Sequence, residues 1–155
     1  MINFLITLAA FFSMEAVAWL THKYVMHGFL WFLHKDHHKK DTYGFFELND
    51  FFFLIFAIPG MAGVFYGMIN DFNFFFYIGL GITIYGFTYF LVHDLFIHQR
   101  FRILRNSDNA YFKAIRRAHK MHHKHLGKED GECFGMLWVP LKYFRQERES
   151  RQKSA

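Results

Sequence analysis

Cysteine is almost absent from the 155-residue chain. The single Cys133 excludes a disulfide framework and any Cys-rich zinc or iron–sulfur module, and it has no evident catalytic part. Charge is scarce too, at 20%; residues 51–69 and 72–92 carry none, and residues 2–20 carry only Glu15. No Lys or Arg precedes that first stretch, so it lacks the positive head of a cleaved signal peptide and is expected to remain as a first span. What takes the place of charge is apolar: 53% of residues are hydrophobic and 22% aromatic, with 23 Phe. Disordered chains are poor in both, and a soluble domain this small has too little interior for so much aromatic surface. The length suits one domain, 1–155.

The apolar stretches 2–20, 51–69 and 72–92 are 19, 19 and 21 residues long, close to the ~20 that carry a helix across a bilayer core. Only Asn70-Asp71 separates the last two, which predicts a helical hairpin. The expected fold is all-α: an integral membrane bundle of three to four transmembrane helices. Pro59 and the glycines are tolerable inside such spans, and some of the small residues permit close helix contact. Residues 134–144 (FGMLWVPLKYF) are too short to span and read as interfacial or re-entrant. Trp31, Trp138, Tyr43 and Tyr143 suit the aromatic belt at the interface. Of the 18 Lys and Arg, 4 lie in 21–50 and 14 in 93–155. That bias puts both regions in the cytoplasm and the N-terminus outside. The basic tail has two explanations, anionic headgroups or a docking role.

All 11 His fall within 22–38 or 93–125, just after the first and third spans. Their spacing repeats: His22-x4-His27 then His34-x2-His37-His38, and later His93-x4-His98 then His119-x2-His122-His123. On an α-helix, i, i+3 and i+4 share a face, so each His-x2-His-His box can aim at a common centre. The x4 pairs stand about 140° apart on that geometry. They hold a metal from two sides of a groove, or one member orients the other. Ten imidazoles in a duplicated pattern at a membrane edge point to two metal ions in a cytoplasmic cap. His125 falls outside the pattern and is expected to face solvent. Imidazole suits zinc, copper, iron and nickel alike. Zinc hydrolysis needs only three protein ligands, and haem needs one or two axial ones. An iron pair activating O2 uses more, and it suits C–H chemistry on a lipid-soluble substrate.

These four His motifs, with FELND (46–50), YFLVHDLFIHQRF (89–101) and GECFGMLWVP (131–140), resemble the membrane fatty acid hydroxylase superfamily. Within it they resemble the bacterial-type β-carotene 3-hydroxylases, over about residues 14–140. The resemblance implies a non-haem di-iron, O2-dependent monooxygenase of a bacterial inner membrane. It would convert β-carotene through β-cryptoxanthin to zeaxanthin, with electrons from a ferredoxin-type donor and ultimately NAD(P)H. It also implies His22, His27, His34, His37, His38, His93, His98, His119, His122 and His123 as iron ligands. The partners implied are lipid, a carotenoid and the electron donor, with no nucleic acid; the oligomeric state stays open.

Asp36 and Asp94, inside their motifs, either orient ligand His through the second ring nitrogen or are ordinary surface acids. Glu47, Asn49 and Asp50 read as a helix cap or as contacts of the metal site. Glu15 sits in a span, where an ionisable group takes a metal or proton role or else snorkels. Phe51, Phe52, Phe53, Phe74, Phe75 and Phe76 line a polyene pocket or face lipid. Other readings are a sterol or fatty-acyl hydroxylase or desaturase, a carotenoid ketolase, and a metal-transporting membrane protein. The transporter reading requires ionisable residues in several spans, where the sequence offers Glu15.

Overall fold

A computed structural model describes residues 1–39, 46–100 and 107–152, and among these every regular element is helical. Helix α1, Ile2–Leu20, runs on as a π-helix over Thr21–Phe29, and α2 follows at Trp31–His38. A short 3₁₀ turn, Leu48–Asp50, leads into α3, Phe51–Met68. Helix α4, Phe74–Tyr89, likewise continues as a π-helix over Phe90–Ile97; α5 is Ala110–Lys124 and α6 Leu141–Gln152. Three helical units, Ile2–Phe29, Leu48–Met68 and Phe74–Ile97, are long and apolar enough to cross a membrane. The third span therefore starts two residues later than the apolar run and reaches further. The expected Lys40 and Tyr43 contributions fall outside the described residues.

The hairpin between α3 and α4 is the tight one that the sequence predicts. Asp71 and Phe72 take positive φ of 56° and 53°, and the Phe72 amide donates to the Gly67 carbonyl at 2.8 Å. Small residues let the spans meet. A Cβ at Gly79 would lie 2.5 Å from the Val64 nitrogen of α3, and one at Gly81 would lie 2.5 Å from the Thr7 carbonyl of α1. Only glycine permits backbones to approach so closely. Exposed Phe and Ile side chains cover the outside of the bundle, as lipid-facing helices require: Phe51, Phe74 and Phe75 are at least half exposed.

The segment 134–144 is not one element. Residues 134–138 fold back onto α1, and α6 begins only at Leu141. Trp138 is 80% exposed, consistent with an interfacial position, but Tyr143 is buried against Ala114, Ile115 and Ala118 of α5. Tyr143 therefore belongs to the packing between α5 and α6 rather than to a belt. Its hydroxyl accepts from the Cys133 thiol at 3.5 Å, the one polar contact of that sulfur among the described residues.

Candidate metal centre

The helix ends that carry the His motifs meet at one end of the bundle. His22, His27 and His93 lie in the π-helical extensions, and His98 caps the second of them. A π-helix closes its hydrogen bonds from i+5 back to i, and the bond from the His98 amide to the His93 carbonyl, 2.8 Å, is of that kind. Residues five apart then stack on one side instead of standing 140° apart, which corrects the α-helical expectation. His27 and His22 lie 5.2 Å apart ring to ring, His93 and His98 4.4 Å.

The boxes His34-x2-His37-His38 and His119-x2-His122-His123 are split, not shared. His22, His27, His34, His38 and His122 bring one nitrogen each within 4.8 Å of one another, and His37, His93, His98 and His119 do the same. His123 joins the second set, its Nε2 2.8 Å from that of His119. On a helix, i and i+4 are about 40° apart while i+3 lies to the other side of i. The outer pair of each box thus joins the imidazole set of its own half, and the middle imidazole crosses to the other.

The hydrogen bonds of the first set fix its protonation. His22 Nδ1 donates to the Phe134 carbonyl at 3.0 Å, His27 to Lys128 at 3.0 Å, His38 to His125 at 2.9 Å and His122 to Glu132 at 2.8 Å. His34 Nδ1 donates to Asn49 Oδ1 at 2.6 Å. A carbonyl oxygen has no proton to give, so the hydrogen of each neutral ring sits on Nδ1 and Nε2 is a bare lone pair. Burial keeps the rings neutral: it lowers His34 and His122 to about 2, His38 to about 4 and His123 of the second set to about 3. His37 and His119 are likewise held well below the usual range, by burial first and neighbouring imidazoles second. Five lone pairs then converge, with Nε2 atoms 3.1 Å apart for His22 and His34 and 3.2 Å for His27 and His122. Lone pairs facing each other repel unless a cation lies between them, so the donor set fits a metal ion.

The supporting acids divide. Glu47 accepts from His37 Nδ1 at 2.8 Å, and Asp94 from His93 Nδ1 at 3.3 Å. Asp50 closes a capping box with Glu47, accepting its amide at 3.0 Å, and pairs with Arg100 at 2.6 Å. Asn49 orients His34 and is not the cap that the sequence suggests. Asp36 makes no hydrogen bond to a histidine among the described residues: its Oδ2 accepts from the Leu48 amide at 2.6 Å, and its Oδ1 is buried without a partner there. It shapes the turn before α3 instead. Glu15 ties the chain after α5 to the spans. Its Oε1 accepts the amides of Met136, Leu137 and Trp138 at 2.9, 2.9 and 2.8 Å, and its Oε2 accepts the Tyr85 hydroxyl at 2.7 Å. A Cβ at Gly135 would come within 2.9 Å of Oε1, so a larger residue there would push against this carboxylate. His125 is the C-cap of α5 and serves through its carbonyl.

An apolar pocket opens between α1, α3 and α4. Met14, Phe52, Phe53, Phe56 and Phe90 line it, and it ends on His22 of one set and His93 of the other. Phe53 and Phe90 are exposed on the flank of the bundle, so the pocket opens on the side of the apolar spans. Of the aromatic runs, Phe52 and Phe53 thus serve the pocket, and Phe51 does not.

Three apolar spans ending in two convergent sets of imidazoles define a helical membrane protein able to hold a pair of metal ions. The family model described as fatty acid hydroxylase matches residues 7–141, and the chain belongs to that family. It is 38% identical to the beta-carotene hydroxylase of Pantoea ananas over 89% of this chain and 78% of that one. It is 35% identical to the beta-carotene hydroxylase of Paracoccus sp., covering 90% and 86%. The chloroplastic beta-carotene 3-hydroxylase of Gentiana lutea is 36% identical over 89% of this chain and 43% of its own length. No solved structure matches the chain.

Proposed function

We propose that this hydroxylase acts on carbon 3 of β-ionone rings, converting β-carotene through β-cryptoxanthin to zeaxanthin. The observation that carries the reading is the lipid-facing apolar pocket that ends on one imidazole from each set. A ring entering from the bilayer meets both sets at once, and the hydroxylase relatives supply the substrate class. The ten imidazoles hold two non-haem irons, His22, His27, His34, His38 and His122 around one and His37, His93, His98, His119 and His123 around the other. When bound, the irons supply O2 activation for C–H hydroxylation, with electrons from a ferredoxin-type donor and ultimately NAD(P)H. The chain's own work is to aim the imidazoles through their Nδ1 bonds, to hold the ring against them and to keep water out with Phe52, Phe56 and Phe134.

Expression in β-carotene-producing cells, followed by pigment chromatography, tests the reading. β-Cryptoxanthin should appear first and zeaxanthin later, because one centre per chain handles one ring at a time. Unchanged β-carotene beside folded, iron-loaded protein would sink it, and turnover of a sterol or acyl chain by the same preparation would redirect it.

The pocket makes a sharper test. A Cβ at Gly86, which lines the pocket, meets nothing within 4 Å. Gly86→Leu should therefore fold normally and fill the space meant for the ring. Conversion is expected to fall ~10-fold or more with iron content unchanged, since small volume changes in apolar pockets discriminate on that scale. Equal pigment yields from the variant and the parent would place the ring elsewhere.

Orientation follows the charge count. The His region, α5 and α6 face the cytoplasm and the N-terminus lies outside, in the bacterial inner membrane. Reporters fused after Lys39 and at the C-terminus should read inside, and one at Asn70 outside. A periplasmic signal after Lys39 would reverse the orientation.

A further inference from the structure

The two sets of imidazoles are held from behind by different chemistry. In the first set every Nδ1 meets a neutral oxygen: four backbone carbonyls and the Asn49 amide. In the second set, two of the Nδ1 atoms meet carboxylates, Glu47 behind His37 and Asp94 behind His93. Asp50 stands beside them. Arg100 gathers all three acids, with its guanidinium 3.1 Å from Asp94, 2.6 Å from Asp50 and 3.6 Å from Glu47. Among the described residues, three carboxylates share this one guanidinium, so acids outnumber it behind the second set. The group is mostly shielded from water, its side chains 15–29% exposed, so the charge acts through a medium of low screening.

Charge placed behind a ligand reaches the metal by two routes. A carboxylate accepting the Nδ1 proton makes the imidazole a stronger donor at Nε2. Its field also attracts the cation directly. A carbonyl or amide at the same place contributes only a dipole. The duplicated His pattern makes the two halves equivalent in ligands, while the groups behind them are not.

We propose that the two metal positions are electrically unequal, and that the acid group Glu47, Asp50 and Asp94, gathered by Arg100, selectively strengthens cation binding at the His37, His93, His98, His119 and His123 position. The inference rests on the reading that both sets hold metal. Glu47 and Asn49 are the positioning residues that divide the two positions, one charged and one neutral, two residues apart on the same turn. Arg100 is the counterweight. It keeps three neighbouring acids from repelling each other when no ion is present, and its charge limits how far they favour one.

The test is an anaerobic titration of metal-free protein in detergent with cobalt(II), followed by visible absorption and calorimetry. Mutual repulsion of two neighbouring dications splits binding into two steps even at identical positions, so the split itself decides nothing. The unequal response of variants does. Glu47→Gln keeps an oxygen for His37 Nδ1 and removes one charge. It should weaken one step about tenfold or more and leave the other within about twofold, the range expected for a partner behind a ligand. Asn49→Asp places a charge behind His34 and should strengthen the other step. If both steps move together in each variant, or neither moves, the positions are equal and the inference is wrong. Should Glu47→Gln fail to fold, Asn49→Asp decides the matter through its own step. A parent protein that binds no cobalt overturns the metal reading itself, and the inference with it; two bound ions with symmetric variants overturn only the inference.

Discussion

Hydroxylation should stop in His122→Ala and persist in His125→Ala, although both changes remove an imidazole from the same four residues of chain. The His122 side chain is fully buried, its Nε2 lies among the first set, and its Nδ1 is tied to the Glu132 carbonyl. Its loss removes a ligand and leaves that carbonyl unpaired. The expected fall in activity exceeds the ~10–100-fold typical of losing only a ligand's orienting partner, and iron should drop towards one per chain. His125 contributes its backbone oxygen to His38, and alanine keeps that oxygen. Activity within about twofold of the parent and two irons per chain are expected, as for surface changes away from structural features. Iron measured by mass spectrometry beside pigment turnover checks both variants. Equal iron loss in the two would mean that the His125 ring is itself a ligand.

Glu15→Ala is expected to have the largest effect on stability of any single change in the spans. The carboxylate satisfies three successive amides and one tyrosine hydroxyl. Each hydrogen bond to a charged group is worth ~1.5–3 kcal/mol net, and donors left buried cost more than exposed ones. Trp138 is open enough for a lipid-interface water to replace one bond, so the three that remain total about 4.5–9 kcal/mol. The damage should spread to the metals, because the chain that Glu15 anchors continues back to the carbonyls of Phe134 and Glu132 behind His22 and His122. Thermal unfolding in detergent and iron content should fall together, while Tyr85→Phe, which removes one of the four bonds, should lose about 1.5–3 kcal/mol and keep both irons. A Glu15→Ala protein with the parent's melting temperature would show that residues 134–138 are held by something else.

The spans, the hairpin and the gathering of His at one end are legible in the sequence because each rests on a local pattern. Twenty apolar residues fit one bilayer crossing, and two residues fit one hairpin turn. The division of the ten His is not legible on α-helical spacing. His37 and His122 cross over because i+3 and i+4 straddle i, and the x4 pairs align only in a π-helix. The repeated x4 interval is itself the available signal of that widened turn. Glu15 stands out as the lone charge of its span, but three of its four partners lie 121–123 residues away and are backbone amides. Nothing in residue identity marks them. The same holds for the carbonyls behind His22, His27, His38 and His122, a group that every residue carries. Asp36, read from its place inside a motif, instead serves the turn at Leu48.

The use of main-chain oxygens from His125, Lys128, Glu132 and Phe134 has an evolutionary corollary. Selection on these four positions acts on where the chain runs rather than on which side chains it bears. The part of the stretch that precedes GECFGMLWVP, residues 125–130, is therefore expected to drift in composition while its length stays fixed. One inserted or deleted residue between 125 and 134 would shift the oxygens behind at least one imidazole, whatever its chemical identity. Among related chains the interval from His122 to Gly135 is therefore expected to be constant.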